Sequence, residues 1–239
     1  LPLTADWRTS GPLFTHPRMR YEATVGAGLP MISTLRAMLD SGDRITWIRA
    51  SVSGTLAFLL ARAMEGEALS IAVSEAIAAG YAEPDLREDL RGTDAARKGL
   101  ILARTLGWPA EPSDVEVESL VPEHSEQEEL ATFLHNMPSL DDAMSRRVAS
   151  ASKNGEILRY IVSVGPEERA IRATITALDP SDPFAASIGM ENRIEIHSES
   201  YGHDSLAVCG PGAGPRVTAM GVLADLVELA RVPDEEAGR

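Results

Sequence analysis

Apolar positions in this chain recur with two periods, and the alternation between them predicts most of the elements. Leu29, Ile32, Leu35 and Leu39 fall at helical spacing, with Pro30 tolerated in the first turn. Before them, residues 18–25 read as a strand running into Gly26-Ala27-Gly28, and after the Gly42-Asp43 turn residues 44–52 read as a second strand. Ser53-Gly54-Thr55 opens a helix to about Met64, and Ser70 caps another that carries Ile71, Val73, Ala76 and Ile77 toward Gly80. Thr93 or Asp94 starts a helix that Gly107-Trp108-Pro109 stops. A short strand over 115–120, a helix near 125–135 and another over 140–153 follow, the last ended by Asn154-Gly155. Two strands, 156–164 and 169–178, flank Gly165-Pro166 as a hairpin, and 193–199 alternates strictly with Ile194 and Ile196 on one face. A short strand over 206–209 leads to Gly210-Pro211-Gly212-Ala213-Gly214-Pro215, then to a helix with Val217, Met220, Ala224 and Val227 on one stripe. The opening, with Gly11 to Pro17, reads as a loop, and the tail from Pro233 to Arg239 as a frayed polar end. The predicted fold is α/β in rhythm, an α+β domain whose mixed, largely antiparallel sheet is covered by helices.

Charge narrows the partners. A net charge of −14 repels a phosphate backbone and argues against nucleic acid. No apolar run approaches the roughly 18 residues that span a bilayer, and the chain reads as cytoplasmic. The single cysteine, Cys209, excludes an internal disulfide and any Cys/His zinc spacing. The five histidines are scattered; His197 and His203 could meet at a strand end, but surface or hydrogen-bonded roles suffice.

Three glycine-bearing turns and one charged stretch carry the candidate chemistry. In the turn after Glu22, splayed carbonyls with one carboxylate suit a hard cation, while a tight turn needing only positive φ explains the same glycines. The turn from Gly210 to Gly214 feeds a helix N-terminus and suits close approach of a cofactor, without P-loop spacing. Ser53-Gly54-Thr55 is accounted for by a serine cap. Between Gly80 and Lys98 lie five carboxylates and four cations in nineteen residues. Asp94 and Lys98 share a helix face, and Pro84 holds Glu83 extended. Together they could form a pocket that grips an ammonium and leaves a lysine to move a proton, or simply a solvated charge cluster.

The order of four segments resembles homoserine dehydrogenase along nearly the whole chain: Glu22-Ala-Thr-Val-Gly-Ala-Gly-Leu-Pro30, Ser53-Gly-Thr55, Gly80-Tyr-Ala-Glu-Pro-Asp through Asp94-Ala-Ala-Arg-Lys98, and the C-terminal Gly212-Ala-Gly214 followed by Val217-Thr-Ala. Mild departures are Leu86 for a proline, Glu88 for an aspartate, and Arg91-Gly92-Thr93 for Ser-Gly-aliphatic. The resemblance implies NAD- or NADP-dependent interconversion of L-homoserine and L-aspartate 4-semialdehyde, on the route to threonine, methionine and isoleucine. It implies Lys98 as the catalytic acid/base, Glu83 and Asp94 as the residues that hold the amino acid, and Asp89 as a further contact. It places a sodium-type site at Glu22 with the carbonyls of Val25, Ala27 and Leu29, sets Gly214 against the cofactor, and implies a homodimer formed through the sheet.

The family's nucleotide-binding domain, with its glycine-rich loop and a second active-site lysine, is expected to lie before Leu1. Residues 1–17 then read as a linker from that domain, 18–204 as the substrate-binding and dimerisation domain, and 205–239 as the turn and helix that return to the nucleotide side. On this expectation the isolated chain is inactive. A truncated, non-catalytic paralogue that binds an amino acid or dimerises, and a fragment of an aspartate kinase fusion, are the other expectations.

Overall fold

In the computed structural model, which describes residues 2–186 and 191–232, six strands form one sheet in the order β2-β4-β3-β1-β5-β6. The strands are β1 (Ile45–Ser51), β2 (Val115–Val117), β3 (Ile157–Gly165), β4 (Ala170–Leu178), β5 (Glu191–Ser198) and β6 (Leu206–Pro211). Only β2 and β4 run parallel; every other pair is antiparallel, so the expected mixed, largely antiparallel sheet is what forms. The helices are α1 (Trp7–Thr15), α2 (Met31–Asp40), α3 (Gly54–Met64), α4 (Leu69–Ala78), α5 (Leu86–Leu90), α6 (Thr93–Thr105), α7 (Leu130–Asn136), α8 (Asp141–Lys153) and α9 (Pro215–Leu229).

Strand parity decides where the core sits. Val164, Ile48 and Ile196 stand side by side across β3, β1 and β5, as do Val162, Ala50 and Ile194, and all are buried. Tyr160, Ala173 and Ile171 continue this face, which packs against α3 and α6. The opposite parity mixes charge with a second, smaller apolar cluster of Ile161, Leu178, Phe184 and Ala185. Arg49 and Arg193 lie over the Phe184 ring at 4.6 and 5.5 Å, and Arg49 is paired with Asp182 at 2.8 Å. One face therefore buries the main core, while the other combines the small cluster with charged side chains.

Several expected elements differ. Residues 18–25 form no strand; they hold a 3-10 turn over Glu22–Thr24, because the Glu22 carboxylate accepts the Ile32 and Ser33 amides at 2.7 and 2.8 Å and folds the segment back onto α2. The expected opening loop contains α1, capped by Asp6, whose carboxylate accepts the Thr9 amide at 2.8 Å. Ser70 does not cap α4. Its amide and hydroxyl both bond the Asp141 carboxylate, at 2.8 and 2.7 Å, so a residue of α8 supplies the cap. The helix expected from residue 125 begins only at Leu130, after a 3-10 turn over Glu123–Ser125. Met220 and Val227 of the C-terminal stripe are exposed, at 61% and 45%. The tail from Pro233 lies outside the described residues.

Candidate active site

The charged stretch divides into structural pairs and a cleft. Leu86 and Leu90 are buried and anchor α5. Asp85 caps α5 by accepting the Arg87 amide at 3.0 Å and pairs with the Arg87 guanidinium at 2.6 Å. Arg91 takes Glu88 and Glu126, at 2.9 and 3.0 Å. Those charges stabilise the loop. Of the remaining five, Glu83, Asp89, Asp94 and Lys98 line one cleft of about 170 Å³ with Val52, Thr55, Tyr81, Asn192, Gly212 and Ala213, while Arg97 lines the neighbouring grooves instead.

Gly92 lets the chain turn from α5 into α6. Its φ is 67°, in the left-handed region, and a β-carbon there would stand 2.1 Å from the Tyr160 hydroxyl. That hydroxyl shares its proton between the Glu118 and Ala173 carbonyls, at 2.9 and 2.8 Å, which ties β3 to β4 and to the end of β2, and it packs against Gly92 just before α6. One turn further, the Lys98 ammonium donates to the Val52 carbonyl at 2.6 Å and pairs with Asp94 at 2.7 Å. Lysine has three ammonium donors, so one N–H is left for the cleft.

Asp89 is half-buried, and burial pushes its carboxyl above the ordinary range despite hydrogen bonds from the Glu83 amide, at 2.9 Å, and Thr55. The nearby charges of Asp94 and Glu88 push the same way. A raised carboxyl pKa means that the folded chain holds the proton more tightly than the unfolded one. The stability contribution of Asp89 therefore falls as pH rises from about 4, its unfolded value, through the folded one. Asp89→Asn is expected to raise the melting temperature at pH 7 by about 2 °C or more, with the gain disappearing near pH 4. Thermal melts at the two pH values check it, and a variant less stable than wild type at pH 7 contradicts it.

Gly214 is not in the cleft wall; Gly212 and Ala213 are, and Gly214 stands just beyond them at the N-cap of α9, with φ 123° and open space around it. Asp94 and Lys98 also line a second, wider and largely apolar groove of about 610 Å³, walled by Met19, Tyr21 and Ile101 on one side and Val222, Leu226 and Leu229 on the other. The lysine thus stands where a small polar cleft meets a larger apolar one.

The Glu22 turn lies apart from this cleft and is fixed by α9. The Asp225 carboxylate accepts the Glu22 amide at 3.0 Å, and a β-carbon on Gly28 would lie 1.9 Å from the Val217 carbonyl oxygen. Gly26 and Ala27 both have positive φ, 81° and 57°, which splays successive carbonyls. Among the described residues no N–H donates to the carbonyls of Val25 or Ala27, while the Leu29 carbonyl accepts the Met31 amide at 2.7 Å. Val25 and Ala27 thus present carbonyl oxygens, the donor type a hard cation takes, while the Glu22 carboxylate accepts the Ile32 and Ser33 amides. No group of three or more His, Cys, Asp or Glu converges as for a metal among the described residues, and His203 stays in an exposed turn.

Sequence reasoning passed over Val52 and Asn192, and quoted Thr55 and Tyr81 within its segments without giving either a role. Ser53 does cap α3, through the Leu56 amide at 3.4 Å, but Thr55 beside it bonds the Tyr81 carbonyl at 2.9 Å and closes the cleft floor. Asn192 had one available signal, its parity with Ile194 and Ile196, which places a polar side chain on the inward face.

Fold and cleft together define the class, an α+β domain with a lysine-and-carboxylate cleft at the open end of its sheet. The chain belongs to the homoserine dehydrogenase family, whose family model matches residues 30–227. It is 42% identical over 233 residues to bifunctional aspartokinase/homoserine dehydrogenase 2, chloroplastic, of Zea mays, across 92% of this chain and 25% of that protein. To the homoserine dehydrogenase of Paracoccidioides brasiliensis it is 41% identical, across 87% of this chain and 59% of that one. Among solved structures, a Candida auris protein of unknown function superposes with a TM-score of 0.90 at 35% identity, covering 96% of this chain and 67% of that chain. A hyperthermophilic archaeal homoserine dehydrogenase in complex with NADPH gives 0.67 at 26%, covering 90% and 56%. The chain thus spans about a quarter of the length of the bifunctional relative and 59% of the fungal one.

Proposed function

We propose that these residues are the substrate side of an enzyme that interconverts L-homoserine and L-aspartate 4-semialdehyde with NAD or NADP, in the synthesis of threonine, methionine and isoleucine. The observation that carries the proposal is the meeting of Glu83, Asp94 and Lys98 in one small cleft of a chain of this family. Glu83 and Asp94 hold the substrate ammonium. Asp89 acts behind them by fixing the Glu83 amide. Lys98 takes the hydroxyl proton as hydride leaves the same carbon, and its charge stabilises the oxygen left behind. The nicotinamide cofactor, when bound, supplies the hydride acceptor. The open turn at Gly214 supports an approach of that cofactor from the α9 side.

The other parts follow the same family logic. The carbonyls of Val25, Ala27 and Leu29, with the Glu22 charge beside them, seat a sodium-like cation and stiffen the turn against α9. Residues 18–204 bind substrate and dimerise through the sheet into a homodimer. Residues 1–17 connect to a nucleotide-binding region, and 205–239 pack toward it, which the exposed Met220, Leu223 and Leu226 of α9 support. We assign the chain to the cytoplasm. Its single thiol, Cys209, is exposed and unpaired, the usage of a reducing compartment, and among the described residues no helix is long and apolar enough to cross a membrane.

The 239 residues alone are expected to bind L-homoserine without reducing NADP. Calorimetric titration against L-homoserine, with L-2-aminobutyrate as the control lacking the hydroxyl, tests the substrate; nicotinamide absorbance tests turnover. Absence of homoserine binding sinks the substrate assignment, and measurable reduction by the chain alone sinks its incompleteness.

A further inference from the structure

We infer that Asn192 is a positioning residue, a buried spacer that holds the Gly212–Gly214 turn at the distance from Lys98 that homoserine binding requires. It rests on the substrate assignment proposed above for the same cleft.

Two independent features lead there. Asn192 is 2% exposed and lines the cleft with Lys98, Asp94 and Glu83. A carboxamide has two donors and an acceptor oxygen with two lone pairs, yet the hydrogen bond Asn192 makes within the chain runs from Nδ2 to the Gly212 carbonyl at 3.5 Å, the outer limit of such a contact. Neither polar atom of this amide is sealed off without a partner, so the capacity that Gly212 leaves unused is open to the cleft that Asn192 lines.

The second feature is steric. A β-carbon on Gly212 would stand 2.3, 2.4 and 2.7 Å from Oδ1, Cγ and Nδ2 of Asn192, while the backbone of Gly212 is not in the left-handed region. An alanine could therefore adopt that backbone; what stops it is the Asn192 amide. β5 and β6 pair directly at Asn192 and Gly210, so the strand register delivers the amide under the turn. Asparagine and glycine are fitted to one another, and the turn rests on the carboxamide.

The fit gives a compensation test in the 239-residue chain, read by amide hydrogen exchange and by homoserine titration. Gly212→Ala is expected to speed exchange at Ala213 and Gly214 by about tenfold or more, and Asn192→Ala in the same molecule to return it to within about twofold of wild type, because the methyl enters the vacated space. Homoserine affinity is expected to fall about tenfold in Asn192→Ala and to return to within about threefold of wild type in the double variant, where the methyl seats the turn again. Affinity that stays about tenfold low in the double variant overturns the spacer role, because the amide would then be a direct contact of the substrate. Additive damage to exchange in the double variant overturns the proposal, as does homoserine affinity in Asn192→Ala within about twofold of wild type. Asn192→Ser vacates the same space and replaces alanine if that variant does not fold. A wild-type chain that binds no homoserine counts against the substrate assignment alone, since the exchange measurement needs no ligand.

Discussion

Replacing Lys98 by methionine in the complete enzyme is expected to lower kcat by about 10²–10⁴-fold, the range for losing a positioned acid/base, while KM for homoserine changes only a few-fold. The side chain is held from two directions, by the Val52 carbonyl at 2.6 Å and by Asp94 at 2.7 Å, so its third N–H is aimed rather than free to wander. Ammonium binding is assigned to the carboxylates, which the substitution leaves in place. Methionine keeps the stem that packs along the groove wall, and the fold should survive. Arginine should not rescue the rate: a guanidinium stays protonated at any working pH and its planar fork does not match a point charge held between one carbonyl and one carboxylate. Steady-state kinetics by nicotinamide absorbance separate the outcomes. If affinity collapses while the saturated rate holds, Lys98 binds substrate and does not move its proton.

That assignment shows what was legible in the chain. Apolar pattern gave β1, β4 and β5, which alternate, and β3, which runs apolar and is buried on nearly its whole length. It also gave α2, whose stripe is buried, while cap and stop residues marked α3 and α8, the latter with only Met144 and Ala151 buried. It missed α1, since Gly11 and Pro12 look like loop residues; the helix persists because Trp7 and Phe14 stack at 6.0 Å and a distant arginine ties it down. It also took Glu22 as the end of a strand, when the carboxylate is spent on the first amides of α2. For the site, charge density in residues 80–98 marked the place but not the division of labour. Asp85, Arg87, Glu88 and Arg91 look the same in sequence as Glu83, Asp94 and Lys98; only pairing geometry separates loop supports from cleft walls. Thr55 and Asn192 carry no charge and stood outside any such cluster, so composition could not raise them.

The largest effect on stability is expected from Arg104. Its guanidinium is fully buried on α6, donating to the Ala110 carbonyl at 2.9 and 2.7 Å, to the Leu3 carbonyl at 2.7 Å and to the Ser10 hydroxyl at 2.8 Å, with Glu111 at 3.8 Å. Ser10 in turn donates to the Asp6 carbonyl at 2.9 Å, and the Trp7 amide donates to Glu111 at 2.9 Å. One side chain thus joins the N-terminal segment, α6 and the 110–111 turn. An apolar replacement of a buried ion pair can be neutral when both partners go. Here the acceptors are backbone carbonyls that stay behind, so Arg104→Met leaves Leu3 and Ala110 unpaired in the interior. The cost should be about 3–5 kcal/mol, which at roughly 2–4 °C per kcal/mol for a chain of this size lowers the melting temperature by about 10 °C. Arg104→Lys should fall between, since an ammonium reaches one carbonyl but cannot fork to three acceptors. Tryptic cleavage at Arg8 should accelerate before global unfolding, because α1 loses its tether first. Lys98 lies mid-helix, more than one turn from Arg104, and is held by Val52 and Asp94, so homoserine binding below the melting transition should persist. A melting temperature within about 2 °C of wild type would show that the N-terminal segment is held by its apolar contacts and that the guanidinium is dispensable.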